Sequence, residues 1–308
     1  MAKTVLLYGD SGTFKTTALA HAARYLYRKH KKPLRLITSE ESQPLQPYVE
    51  AGIIEIFRLD LSVDNPLSTL TKLCRGEWPN SAGKLAPATG PLPTAGYFFE
   101  GLTSCSELLL QDLCNKQRKI SQDPIGSFSE DGEKFCAAAP SHYGFVQNTM
   151  LARIKNLAAL DVDRVIITAH EGKGEEEGSR NAIRGPGLVG NKGTDKVGKL
   201  VGTMIHAEDY MEEMITIDPK NKDRIAVYRP KVRYFFVKHP DQKFPNVSYP
   251  AKPRVPPERY EELMKIWPGG FFTPTLEEGL DTYLEVDDRL FGGTVDALIA
   301  FKAEVDKI

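Results

Sequence analysis

The residues with the clearest chemistry in this 308-residue chain lie near its start, in Val5-Leu6-Leu7-Tyr8-Gly9-Asp10-Ser11-Gly12-Thr13-Phe14-Lys15-Thr16-Thr17. An apolar run leads into a loop with two glycines, and Lys-Thr-Thr opens a helix. This is the layout of a phosphate-binding loop, G-x-x-x-x-G-K-[ST], with Phe14 where the last glycine belongs. Successive backbone N–H groups of Gly9, Asp10, Ser11, Gly12, Thr13 and Phe14 can form a concave nest for a polyphosphate. A helix starting at Lys15 adds free N–H donors and the positive end of its dipole. Lys15 would reach the β- and γ-phosphates, and the Thr16 hydroxyl would take a magnesium position beside Thr17. Gly9 and Gly12 supply dihedrals that side chains resist. Phe14 forces a modified loop or sits where a Cβ is tolerated. The bland alternative is an ordinary strand-to-helix turn.

Hydrolysis needs more than a cradle: a magnesium ion must be held and a water oriented. Glu100 ends the apolar run Tyr97-Phe98-Phe99 and is the expected magnesium-side acid; otherwise it is a strand-end glutamate in solvent. Glu40 and Glu41 follow the run Leu34–Thr38. The C-terminal ends of parallel strands face the ligand crevice, so Glu40 is expected as the base and Glu41 as its support, unless the pair is a solvated acidic turn. His170 ends Val165–Ala169 and is placed to sense the γ-phosphate, or is structural. Lys252 and Arg254, in a proline-stiffened segment, are expected either to reach a neighbouring subunit's phosphates or to form a basic loop.

The elements that must position these residues follow from periodicity. Short apolar runs at 5–8, 34–38, 53–59, 97–100 and 164–169 alternate with helical stretches at 15–30, 104–119 and 145–160. That alternation implies parallel βαβ units. Ser104 with Glu107 reads as a capping box for the helix at 104. Residues 75–96 and 121–141 read as surface excursions, and 171–202 as an exposed, charged loop. Strands at 214–217, 224–228 and 232–237 suggest an antiparallel extension. Helices are expected at 257–267 and after 275, with Val295, Leu298, Ile299 and Phe301 apolar. The expected fold class is α/β, with a mostly parallel central sheet, an antiparallel extension and a C-terminal helical tail. The division is residues 1–255 as core and 256–308 as extension.

Composition narrows the classes. A net charge of -1, from 40 basic and 41 acidic residues, gives no global nucleic-acid signal. Cysteines 74, 105, 114 and 136 show no C-x-x-C spacing and no zinc pattern with histidine. No apolar stretch is long enough to span a membrane. The first apolar run is short and leads straight into the loop, so no secretory signal is expected. A reduced, cytoplasmic setting follows.

Taken in order, these motifs resemble the RecA-like P-loop ATPases, in particular a phage-encoded branch linked to recombination and single-strand annealing and related to RadA and KaiC. Ser39-Glu40-Glu41-Ser42 looks like the Glu-Glu-Ser segment of RadA-type proteins, where a glutamate is the base. Phe98-Phe99-Glu100-Gly101-Leu102-Thr103-Ser104 looks like their Walker B strand. Val165–His170 looks like their sensor strand, Gly185–Lys192 like a segment of the phage branch, and Ala251-Lys252-Pro253-Arg254 like the Lys-x-Arg element acting on the adjacent subunit. The resemblance implies ATP and Mg2+, ATP hydrolysis, a homo-oligomeric ring or filament, single-stranded DNA and recombination or replication proteins as partners. It also implies the host cytoplasm if the chain is phage-encoded. In the RecA class, loops after the sensor strand line a DNA-binding axis. Lys173, Arg180, Arg184, Lys192, Lys196 and Lys199 are the cations for that role, against Glu175, Glu176 and Glu177 in the same loop. The alternatives are a nucleotide-gated assembly protein with the tail as glue, a small-molecule kinase and a packaging motor.

Overall fold

The computed structural model describes residues 2–116, 126–130, 133–175, 182–190, 194–217, 224–236, 257–274 and 279–291. The first half runs β1 (Lys3–Gly9), α1 (Lys15–His30), β2 (Leu34–Thr38), α2 (Gln46–Glu50), β3 (Ile54–Arg58), α3 (Pro66–Leu73), β4 (Trp78–Pro79), β5 (Leu85–Ala86), β6 (Gly96–Glu100) and α4 (Leu102–Asn115). It continues with β7 (Gly126–Glu130), β8 (Glu133–Ala137), α5 (Pro140–Ala158), β9 (Arg164–Glu175), β10 (Ala182–Pro186), α6 (Thr194–Gly198), β11 (Thr203–Ile217), β12 (Arg224–Phe236), α7 (Pro257–Ile266), β13 (Phe271–Phe272) and α8 (Leu280–Phe291).

A nine-stranded sheet in the order β13-β12-β11-β1-β9-β6-β2-β3 organises these elements, with β10 folded back on β9. From β11 to β3 every pairing is parallel. The parallel strands are apolar runs because helices cover both faces. Every residue of β2 and β6 is buried. Alternation along β1 sends Val5 and Leu7 to the face covered by α1 and α8, and Leu6 and Tyr8 to the face covered by α4 and α5. The expected α/β class, with its mostly parallel sheet and antiparallel extension, is the architecture observed.

Several local expectations are corrected. Helix α4 starts at Leu102, with Gly101 as its N-cap at φ 74°. The Ser104–Glu107 capping box therefore does not form; Ser104 is already inside the helix and its hydroxyl goes elsewhere. The segment 171–202 is not one open loop. Strand β9 runs on to Glu175 and pairs antiparallel with β10, and α6 follows. The first antiparallel strand begins at Thr203 rather than 214. Its buried first half pairs with β1, and His206 interrupts the apolar run that would have announced it. The two excursions carry the hairpins β4–β5 and β7–β8, and α3 was not expected.

Behind the tail helices lies the same core. Leu263, Leu280, Tyr283, Leu284 and Val286 join the cluster that holds α1. At the N-terminal edge of the sheet, Arg164 is buried and pairs with Asp287 at 2.8 Å and Asp288 at 2.6 Å, both on α8. Lys29 and Lys3 also reach Asp288. Val295, Leu298, Ile299 and Phe301 lie outside the described residues.

Candidate active site at the C-terminal ends of the parallel strands

The loop after β1 closes as the sequence requires, by an unexpected route. Phe14 takes the left-handed conformation, φ 58° and ψ 24°, that a glycine in its place would hold without cost. Its ring stays 47% exposed. Its carbonyl accepts the Ala18 N–H at 2.9 Å and the Tyr234 hydroxyl at 3.1 Å, so β12 props the loop from behind. Gly12 also has positive φ, as expected. Gly9 does not, and the reason for its glycine is different: a Cβ there would stand 2.2 Å from the Ala207 carbonyl oxygen of β11. Asp10 and Ser11 are exposed and Thr13 is buried. The Thr13 hydroxyl donates to the Asp10 carbonyl at 2.8 Å.

Lys15 lies across the loop, its Nζ donating to the carbonyls of Gly9 at 2.9 Å and Asp10 at 2.6 Å. Burial holds its ammonium below the ordinary lysine range, while the charges of Glu40, Asp10 and Glu100 act in the opposite sense. The next residue turns toward β6. The Thr16 hydroxyl donates to Glu100 Oε1 at 2.6 Å, and Ser42 donates to Glu100 Oε2. Glu100 is buried, and burial raises its pKa above the ordinary carboxylate value; the hydroxyls of Ser42 and Thr16 partly offset this. The solvated strand-end alternative for Glu100 is thereby excluded.

A second carboxylate stands beside the first. Glu40 accepts from Ser104 Oγ, and His170 Nε2 lies 3.3 Å from its Oε1. The backbone supplies the room: a Cβ on Gly101 would meet Glu40 Oε1 at 2.5 Å. The turn after β2 is set by the Glu40 N–H, which donates to the Thr38 hydroxyl at 3.0 Å. The Thr103 hydroxyl accepts the His170 N–H at 3.0 Å and donates to the Gly187 carbonyl at 2.9 Å. The Gly187 N–H returns to the His170 carbonyl at 2.7 Å. His170 is thus tied both to α4 and to the segment after β10.

Lys15, Thr16, Glu40, Glu100 and His170 therefore converge at one end of the sheet. Glu41 points into solvent. Lys252 and Arg254 lie outside the described residues, as do Arg180 and Lys192. Lys173 and Arg184 are register partners in the backbone of the β9–β10 hairpin, and Lys196 and Lys199 are exposed. Ser42, Ser104 and Tyr234 were missed as site residues. Ser42 had a signal, being the last residue of the Ser-Glu-Glu-Ser segment. Tyr234 had none, because only the pairing of β12 with β11 brings it to the loop.

The donor set fits magnesium. Thr16 and Glu100 offer hard oxygens, and among the described residues no group of three or more His, Cys, Asp or Glu could cage a metal without a substrate. Magnesium keeps waters and binds through one or two carboxylates plus substrate phosphates, so such a sparse site suits it.

No family model matches this sequence, and no curated protein matches it. Among solved structures it is similar to a KaiC-like protein from the hyperthermophilic archaeon Pyrococcus horikoshii, at 14% identity and TM-score 0.40 over 89% of each chain. At that distance the likeness adds nothing to the site, which stands on its own geometry. Among the described residues no helix is long and apolar enough to cross a membrane.

Proposed function

We propose that the protein is a RecA-like ATPase that binds ATP with Mg2+ and hydrolyses its terminal phosphate. The carrying observation is the pair of carboxylates in unlike settings: buried Glu100 joined to Thr16, and partly exposed Glu40 joined to His170. In this reading the loop N–H groups and the start of α1 receive the phosphates. Lys15 exchanges its loop carbonyls for β- and γ-phosphate oxygens. Thr16 and Glu100 hold the magnesium side, where the ion would neutralise charge building on the phosphate oxygens. Glu40, held by Ser104, takes a proton from the attacking water, and His170 reports the γ-phosphate to the segment at Gly187.

The test is phosphate release with parallel binding measurements. Lys15→Ala is expected to lose ATP binding. Glu40→Gln is expected to keep binding and lose hydrolysis; normal turnover in Glu40→Gln would end the assignment of the base. The finer reading, a phage recombination or replication factor that acts on single-stranded DNA as a homo-oligomer, is supported by the order of motifs and by the basic residues at 173–199. Single-stranded DNA binding across a salt series, with and without ATP, tests it. If Lys252 and Arg254 act on a neighbour's nucleotide, mixing Arg254→Ala with Lys15→Ala subunits restores part of the activity. A second reading, nucleotide-gated assembly, is favoured by Met211, Ile215 and Tyr228, exposed apolar side chains on the long β11–β12 hairpin.

A further inference from the structure

Next to the phosphate-binding loop, on the α1 side of the sheet, lies a cavity of about 300 Å³ lined by Trp267, Phe271, Phe272, Thr273, Gly279 and Thr282. That volume is at the lower end of the range for small-molecule sites. Two contacts fix its place relative to the loop. Tyr234, whose hydroxyl bonds the Phe14 carbonyl, packs edge-on against Phe272 with ring centroids 5.3 Å apart. Gly279 lies against His21 of α1, where a Cβ would come within 2.3 Å of Nδ1. The cavity therefore lies beside the loop and the first half of α1, on the loop's β12 side. Trp267 and Phe271 are partly exposed, Phe272 is buried behind them, and Thr273 and Thr282 add two hydroxyls, which suits a flat heterocycle with polar edges.

We infer that this cavity takes the base of the nucleoside triphosphate whose phosphates sit on the Lys15 loop, with Trp267 and Phe271 as the stacking surfaces. The inference rests on the phosphate-site reading above. It makes the tail segment part of the nucleotide site and assigns base recognition to residues that touch no phosphate.

The test uses the full-length protein and two ligands, ATP and inorganic tripolyphosphate. The chain has two tryptophans; Trp78 packs in the cluster on the opposite face, so Trp267 is the reporter. ATP is expected to change tryptophan emission, tripolyphosphate is not, and Trp267→Phe abolishes the change while keeping the packing. Thr282→Tyr, which fills the cavity, is expected to weaken ATP about tenfold or more, the worth of one base–aromatic stack, and to leave tripolyphosphate binding unchanged. ATP binding with unchanged emission, together with equal ATP affinity in Thr282→Tyr, would overturn the base site and leave the phosphate site standing. Failure of both ligands to bind would overturn both. If Thr282→Tyr does not fold, the fluorescence comparison on the unaltered chain decides alone.

Discussion

Phe14 offers a test of whether the loop geometry is set by backbone or by side chain. Its left-handed backbone, at φ 58°, costs a non-glycine residue about 1–2 kcal/mol. Replacing it by glycine removes that cost but also removes a ring that is half in contact with the protein, so the unaltered chain is a poor reference. The informative pair is Phe14→Gly against Phe14→Ala, since both lack the ring. Glycine gives back roughly 0.5–1 kcal/mol in extra unfolded-chain entropy. The balance leaves Phe14→Gly about 0.5–1 kcal/mol more stable than Phe14→Ala. In a right-handed helical position the order reverses, with glycine about 1 kcal/mol worse. The sign alone is therefore diagnostic. Urea unfolding followed by far-ultraviolet circular dichroism, without nucleotide, measures it. An alanine variant as stable as the glycine variant, or more so, would refute the left-handed assignment and the account of why this loop tolerates a phenylalanine.

Three further perturbations probe the surroundings. Tyr234→Phe removes one of two donors to the Phe14 carbonyl and leaves the Ala18 N–H in place, so a loss of about 0.5–1.5 kcal/mol is expected in the same unfolding assay; no loss would mean that β12 does not brace the loop. Glu100 has a folded pKa raised above its ordinary 4.5 by burial, so the folded state holds the proton more tightly and stability falls as pH rises through that window. Glu100→Gln should remove this slope, its melting temperature gaining on the unaltered chain as pH climbs from 4.5; a shrinking difference would contradict the desolvation account. Asp287→Ala strips a buried partner from Arg164 and should cost about 3–5 kcal/mol, toward the lower end because Asp288 remains; a loss near zero would show that the guanidinium is not desolvated.

The parts of the fold that could be read from the sequence were those with one dominant physical cause. Strands β1, β2 and β6 are buried on both faces, so they appear as unbroken apolar runs, and the residues at their C-terminal ends could be placed in one crevice before any coordinates. Strand β11 escaped because its buried half contains His206, which stacks on Tyr8 with ring centroids 4.8 Å apart and lies 3.2 Å from Glu171. A pattern reader counts that histidine as polar, whereas the fold gives it an aromatic and a carboxylate partner. Ser104 misled for a related reason. Local sequence offered it as a helix cap, but Gly101 had already started the helix, which freed the hydroxyl for Glu40. Gly9 was correctly singled out for the wrong cause, since the close approach of β11 requires it and its φ does not.

The two ends of the parallel sheet are held by different chemistry, and the difference has a consequence for acid. At the C-terminal end, small hydroxyls of Thr16, Ser42 and Ser104 bond carboxylates of which the buried one has a raised pKa, so mild acid leaves Glu100 more comfortable rather than less. Against the second half of α1, Asp163, Asp281 and Asp288 all have pKa values lowered below the ordinary 3.8; burial opposes this, but hydrogen bonds and charges from Lys29, His30 and Arg24 prevail. Their stabilisation is complete above the ordinary aspartate range and is lost as pH falls through the lowered folded values. Asp288 and Asp281 are on α8, bonded to Lys29 and Arg24 of α1. As pH falls, Glu100 therefore gains its proton before the ion pairs between α8 and α1 are lost, because its pKa is raised above 4.5 and theirs are lowered below 3.8. If Glu100 holds the magnesium side and α8 walls the base cavity, the magnesium contacts weaken first and the base wall last. In an acid titration the magnesium dependence of tripolyphosphate binding should then vanish at a higher pH than the one at which α8 leaves α1, read from Trp267 emission without ligand. Loss of both at one pH would mean that the two ends unfold as one unit.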